Sequence, residues 1–156
     1  MKKKCMNTVK GFLFTLLIST MVFSQNRVDV RATSVTALQA AAYVFDITFE
    51  SSVSSNAKIE IEFPKEFNLD QVIMADSDAF DGELLLSKKN NIVVIERSKA
   101  QTDIPAGTPI DLKLASVIHP ENPDSAPSFN ITLVEDQREI VTVSANQVQQ
   151  LNNPNR

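Results

Sequence analysis

The sequence predicts an all-β fold, a single β-sandwich of about eight antiparallel strands behind an N-terminal signal peptide. Three observations carry this. Apolar and polar residues alternate with period two along most of the chain, the pattern of a strand with one face on a core and the other in water. The alternating runs are short and recur every roughly 8–15 residues between turn-forming residues, the rhythm of sandwiches. No stretch carries a convincing helical period.

Residues 1–24 read as the signal. Lys2, Lys3, Lys4 and Lys10 precede the apolar run GFLFTLLISTMVF, and Ser24 supplies the small residue for cleavage. This is the basic, apolar, small-residue order of a secretory leader. The run is shorter than the roughly 20 apolar residues of a comfortable membrane span, and no second such run follows, so no membrane insertion is expected after cleavage. Cleavage would also remove Cys5, the only cysteine, leaving no thiol, disulfide or cysteine metal site. Cys5 precedes the apolar run and so cannot serve as a lipobox cysteine. Disulfides support many small secreted eukaryotic domains, and their absence points to a bacterial exported protein.

The remaining chain carries 11 Lys+Arg against 19 Asp+Glu, a net charge of −8. Nucleic acid and anionic lipid are poor partners for such a surface, because phosphate contacts need clustered cations. Residues 25–34 are expected to be an N-terminal extension or first strand, 35–144 the sandwich domain, and 145–156 a polar tail rich in Asn and Gln that frays.

The strands follow in order. Val28–Leu38 supplies the first. Tyr43, Phe45, Ile47 and Phe49 alternate with polar neighbours in the second, and Ile59, Ile61 and Phe63 in the third. Leu84–Ser87 and Ile92–Glu96 form two more about the turn Lys89-Asn90-Asn91. Ile110, Leu112 and Leu114 mark the sixth, Phe129, Ile131 and Leu133 the seventh, and Glu139–Ser144 the last. Two short segments compete as helix, the alanine-rich Thr36–Ala42 and the stretch Pro64–Val72. Neither would change the fold class.

The one dense patch of possible chemistry is DSDAFDGE, Asp76 to Glu83. An EF-hand places acceptors at positions 1, 3 and 5, glycine at 6 and glutamate at 12. Counted from Asp76, those last three positions hold Phe80, Asp81 and Ser87, so the loop fails as an EF-hand. A looser calcium site through Asp76, Asp78 and Asp81 remains open beside the plainer reading, an acidic turn at Asp81-Gly82 with solvated carboxylates. Glycoside cleavage by paired acids would need one of them buried, and nothing in the pattern buries one. Sugar platforms are scarce too, since the chain lacks Trp and its one Tyr, Tyr43, lies on the apolar face of its strand. Tyr43 is expected in the core with its hydroxyl hydrogen-bonded. His119, the only histidine, precedes Pro120 and is expected exposed in a loop. A lone histidine supplies neither the four ligands of structural zinc nor a triad without a nucleophile elbow. Asn130-Ile-Thr132 matches a glycosylation acceptor but lies in mid-strand.

The segments AAYVFDITFES (41–51), AKIEIEFPKEF (57–67), DIPAGTPIDLKLASVIHPENP (103–123) and FNITLVED (129–136) carry a resemblance. They resemble the immunoglobulin-like β-sandwich modules of exported bacterial proteins, which often run in tandem in large cell-surface chains. The resemblance implies a fold and an extracellular setting rather than a reaction. The expected protein is a non-enzymatic module without cofactor, secreted, periplasmic or on the cell surface, that meets another surface or envelope protein. Strand addition at a sheet edge is the expected mode. A glycan- or calcium-binding module is the alternative.

Overall fold

The computed structural model describes residues 25–122 and 126–151. The expected signal peptide, residues 1–24, lies outside the described residues. The described chain forms ten strands: β1 Arg27–Ala32, β2 Ala40–Thr48, β3 Lys58–Glu62, β4 Ala75–Asp76, β5 Glu83–Lys89, β6 Ile92–Ser98, β7 Pro109–Ile118, β8 Phe129–Glu135, β9 Arg138–Ala145 and β10 Val148–Gln150. They make two five-stranded sheets, in the orders β10-β1-β2-β7-β4 and β5-β6-β3-β8-β9. Eight strands coincide with the eight alternating runs, while the two-residue β4 and three-residue β10 have no counterpart in the pattern.

Alternation does what the sequence promised. In the central strands β2 and β3 every second residue is buried, Tyr43, Phe45 and Ile47 in one and Ile59 and Ile61 in the other. Packing the two inner faces together produces a ring cluster of Tyr43, Phe45, Phe63, Phe67 and Phe129 with centroids 5.3 to 6.2 Å apart. Several pairs meet edge to face, the arrangement that sets a positive ring edge against a negative face.

The turns follow from backbone demands. Asp136 and Gln137 both hold positive φ, 47° and 63°, between the paired Glu135 and Arg138. A two-residue hairpin whose twist matches its strands needs that conformation at both positions. Asn90 takes φ 56° in the β5–β6 turn, and the neighbouring Asn91 donates from its side-chain amide to the Phe63 carbonyl at 2.6 Å. Neither helical competitor forms. Ala40 and Ala41 enter β2 after Leu38 turns at φ 59°, which also ends the first strand at Ala32 rather than at Leu38. The Pro64–Val72 stretch makes separate turns, closed by Phe67 N–H to Pro64 O and Val72 N–H to Leu69 O.

One expectation is corrected at the C-terminus. Residues 145–156 read as a frayed tail, yet Ala145 ends β9 and Val148–Gln150 pairs parallel with Val30–Ala32 of β1. Val148 packs on the core and the Leu151 N–H donates to the Ala32 carbonyl at 2.8 Å. One apolar side chain among the three residues of β10 is too faint a period to announce a strand, but it suffices beside an unpaired sheet edge. Residues 152–156 lie outside the described residues.

Candidate functional site

The acidic loop does not gather its carboxylates. The chain crosses here from one sheet to the other, since β4 pairs with β7 and β5 with β6; the segment is a crossover and not a hairpin. Asp81 turns to the far side. One of its oxygens pairs with the Arg97 guanidinium, and the other accepts from Gln101 N–H at 3.0 Å, Thr102 N–H at 3.1 Å and Thr102 Oγ1 at 3.0 Å. Chiefly the Gln101 N–H, opposed by partial desolvation and helped by Thr102 and Arg97, holds its carboxyl down at about 2. Gly82 completes the crossover with φ 82°, where a Cβ would overlap the Ser98 carbonyl oxygen.

Arg97 is the residue the sequence reading missed. It sits on the inward parity of β6 after Val93 and Ile95, and its side chain is only 2% exposed. The guanidinium donates to Ser54 O at 3.1 Å and Thr102 O at 2.8 Å, pairs with Asp81, and stacks over Phe80 at 5.2 Å. One planar fork thus ties three loops to the end of β6, a use that the five donors of arginine permit and the ammonium of lysine does not. A charged residue at an inward strand position was the available signal, because a buried charge requires a partner.

Asp76 and Asp78 lie instead beside Lys113 of β7, at 3.8 and 3.1 Å from its Nζ, with Asp111 at 3.0 Å. Burial would raise the Asp111 carboxyl, but hydrogen bonds from Lys113 and the Asp78 N–H outweigh it and leave it below its ordinary range. Hydrogen bonds donated to the carboxylates of Asp111, first, and Asp78 raise the Lys113 ammonium. Among the described residues no group of three or more His, Cys, Asp or Glu stands as a metal-holding cluster.

His119 corrects a second expectation. It is buried, 4% exposed, and not displayed in a loop. Its ring lies 5.5 Å from that of Tyr43 and 5.2 Å from that of Phe67, and its Nε2 is 2.5 Å from the Tyr43 hydroxyl. Tyr43 is the core residue with a bonded hydroxyl that the sequence implied, and burial pushes its phenol upward. Burial lowers the His119 pKa, opposed in part by the backbone of Ser34, which closes no hydrogen bond to Nδ1.

The two outer faces differ in chemistry. The outer face of the β10-β1-β2-β7-β4 sheet carries three ion-paired groups, Arg27 with Asp29 at 2.5 Å, Arg31 with Asp46 at 2.6 Å, and Lys113 with its three aspartates, around an outward Val44 that lies between Arg31 and Lys113. On the other sheet, registers align Leu85, Glu96, Lys58 and Val134 in one row, where Lys58 pairs with Glu96 at 2.7 Å, and Ser87, Val94, Glu60, Thr132 and Thr142 in the next. Leu85, 52% exposed, Val94 and Val134 therefore lie on one surface with Ile92 of the following row. Both edge strands of this sheet are long, and the other one, β9, shows Ile140 at 45% exposure. The signal was legible: Leu84-Leu85-Leu86 and Ile92–Ile95 are apolar at both parities, so one parity must face outward. An open cavity of about 260 Å³ adjoins the surface between Lys58, Glu60, Val134 and the Asp136-Gln137 turn.

This is the immunoglobulin-like β-sandwich that the sequence predicts, two facing sheets of largely antiparallel strands. No protein-family model matches the chain, and no curated protein matches its sequence. Among solved structures it is similar to a cohesin module of a family 33 glycoside hydrolase from Clostridium perfringens, with 12% identity, TM-score 0.46, and 81% of this chain and 100% of that one covered. It is likewise similar to a Nocardia farcinica protein with an immunoglobulin-like fold, at 14% identity, TM-score 0.45, and coverage of 83% and 90%. A GH20 exo-β-N-acetylglucosaminidase from Vibrio harveyi matches at 15% identity and TM-score 0.36, over 82% of this chain but 18% of that one.

Proposed function

We propose that this chain is an exported, non-catalytic sandwich module that binds another surface or envelope protein through the outer face of its β5-β6-β3-β8-β9 sheet. The observation that carries the reading is the contrast between its two outer faces. A solvated sheet face is ordinarily polar along its whole length. Covering Leu85, Ile92, Val94 and Val134 removes apolar area from water, at the cost of desolvating the Lys58–Glu96 pair and the neighbouring Glu60 and Glu62. Covering the opposite face would strip water from three sets of ion-paired charges with only Val44 to gain. A partner gains on the first face and loses on the second. The long edge strands β5 and β9 add a second mode on the same sheet, pairing with a partner strand through backbone groups. Export is supported by the basic, apolar and small-residue order of residues 1–24. The non-catalytic reading is supported by Asp81 and His119, whose bonds tie loops and core together.

The test is capture from an envelope fraction by the immobilised protein and by face variants. Val94→Glu and Leu85→Glu should abolish capture of a specific protein, while Arg31→Glu on the opposite face should leave it intact. The reverse pattern overturns the assignment of the face. Retardation in a polysaccharide affinity gel, without protein capture, would favour a glycan-binding module instead.

A further inference from the structure

His119 is fixed where two loops meet the end of β7. Its N–H donates to Gln39 O and its carbonyl accepts from Leu38 N–H, both at 3.2 Å, which ties down the loop from Thr33 to Gln39. One residue earlier, Ile118 exchanges two backbone bonds with Asn68, at 3.0 and 3.1 Å, which ties down the segment carrying Phe67. Between these stitches the imidazole lies against the rings of Tyr43 and Phe67, which themselves pack on Phe63 and Phe129. Among the described residues the Tyr43 hydroxyl has no partner other than His119 Nε2. A neutral ring accepts the Tyr43 O–H there and satisfies it. A second proton turns Nε2 into a donor, leaves the Tyr43 O–H without an acceptor, and sets a charge among aromatic rings.

Among the described residues no carboxylate faces the ring to hold that charge. From β2 comes Tyr43, from the segment after β3 Phe67, and from the Thr33–Gln39 loop the backbone of Ser34. Lys65 and Glu66, beside Phe67, are exposed, as is Glu121 beyond Pro120.

We propose that His119 is an acid-released latch, whose protonation frees the Thr33–Gln39 loop and the Phe67 segment from the end of β7. The device is separate from the binding face argued above. In the closed state the ring resists protonation; in the opened state it titrates near its ordinary value of about 6.5. The open form therefore binds more protons, and acidification favours it. The opening constant rises by up to about tenfold for each pH unit below about 6.5, until the closed-state ring itself titrates.

Amide hydrogen exchange between pH 7.5 and 5, corrected for intrinsic rates, measures this at Leu38, Asn68, Ile118 and His119, with the His119 ring followed by NMR. Those amides should lose protection together as pH falls, by tenfold or more in total, with a ring titration midpoint below 6.5. In His119→Phe the same amides should be flat with pH. If the variant fails to fold, coincidence of ring titration and protection loss in the natural protein decides. A ring titrating near 6.5, or protection indifferent to pH, overturns the latch.

Discussion

Replacing Arg97 with Met removes a buried guanidinium while keeping most of its apolar stem. Three acceptors lose their donor: the Ser54 and Thr102 carbonyls and the Asp81 carboxylate. Asp81 is 37% exposed and can turn to water, so most of the cost falls on the two carbonyls and the lost fork. The carboxylate left behind is not buried, so the cost of about 3–5 kcal/mol for orphaning a buried charge is an upper bound here. Net hydrogen bonds to a charged group, at about 1.5–3 kcal/mol each, reach the same range from two contacts. For a domain of this size the loss corresponds to a fall in melting temperature of roughly 10–20 °C. Arg97→Lys should recover only part of it, since one ammonium cannot span acceptors on three loops. Urea denaturation followed by far-UV circular dichroism reads the midpoint, and an unchanged m-value confirms that the whole domain still unfolds together. A loss below about 1 kcal/mol for Arg97→Met would refute the reasoning, because it would mean the loops hold without the fork.

Acid should find the same junction. The Asp81 carboxyl lies at about 2 against an ordinary 3.8, so its contribution is present above 3.8 and lost as pH falls from there through about 2; Asp81→Asn should flatten the urea midpoint across that window, and a parallel curve would argue against it. Gly82→Ala should destabilise by at least about 1–2 kcal/mol, the cost of a left-handed backbone in an L-residue, plus a shift to clear the Ser98 carbonyl; a neutral substitution would show that the crossover can relax. Calcium at millimolar concentration should leave the melting temperature unchanged, because both Asp81 oxygens are occupied and Asp76 and Asp78 lie with Lys113. A calcium-dependent rise abolished in Asp76→Asn or Asp78→Asn would restore the looser calcium site.

Period two was enough to place eight strands and nearly every core aromatic, because a strand's two faces are fixed by local backbone geometry before any partner is chosen. The turn at Asn90 and the positive φ of Gly82 were legible for the same reason, as properties of a few adjacent residues. His119 and Asp81 were not. Tyr43 meets His119 across 76 positions and Arg97 meets Asp81 across 16, so their surroundings depend on how the sheets stack. A histidine before proline looks like an exposed loop until Phe67 closes over it, and an Asp-Gly pair looks solvated until Arg97 arrives from an inward position of β6. β10 belongs with them, since three polar-flanked residues become a strand only beside the open edge of β1. The sequence determined which side of each strand is apolar; tertiary structure alone decided which polar groups would be drawn inside, because burial of a charge or an imidazole requires partners that local sequence does not contain.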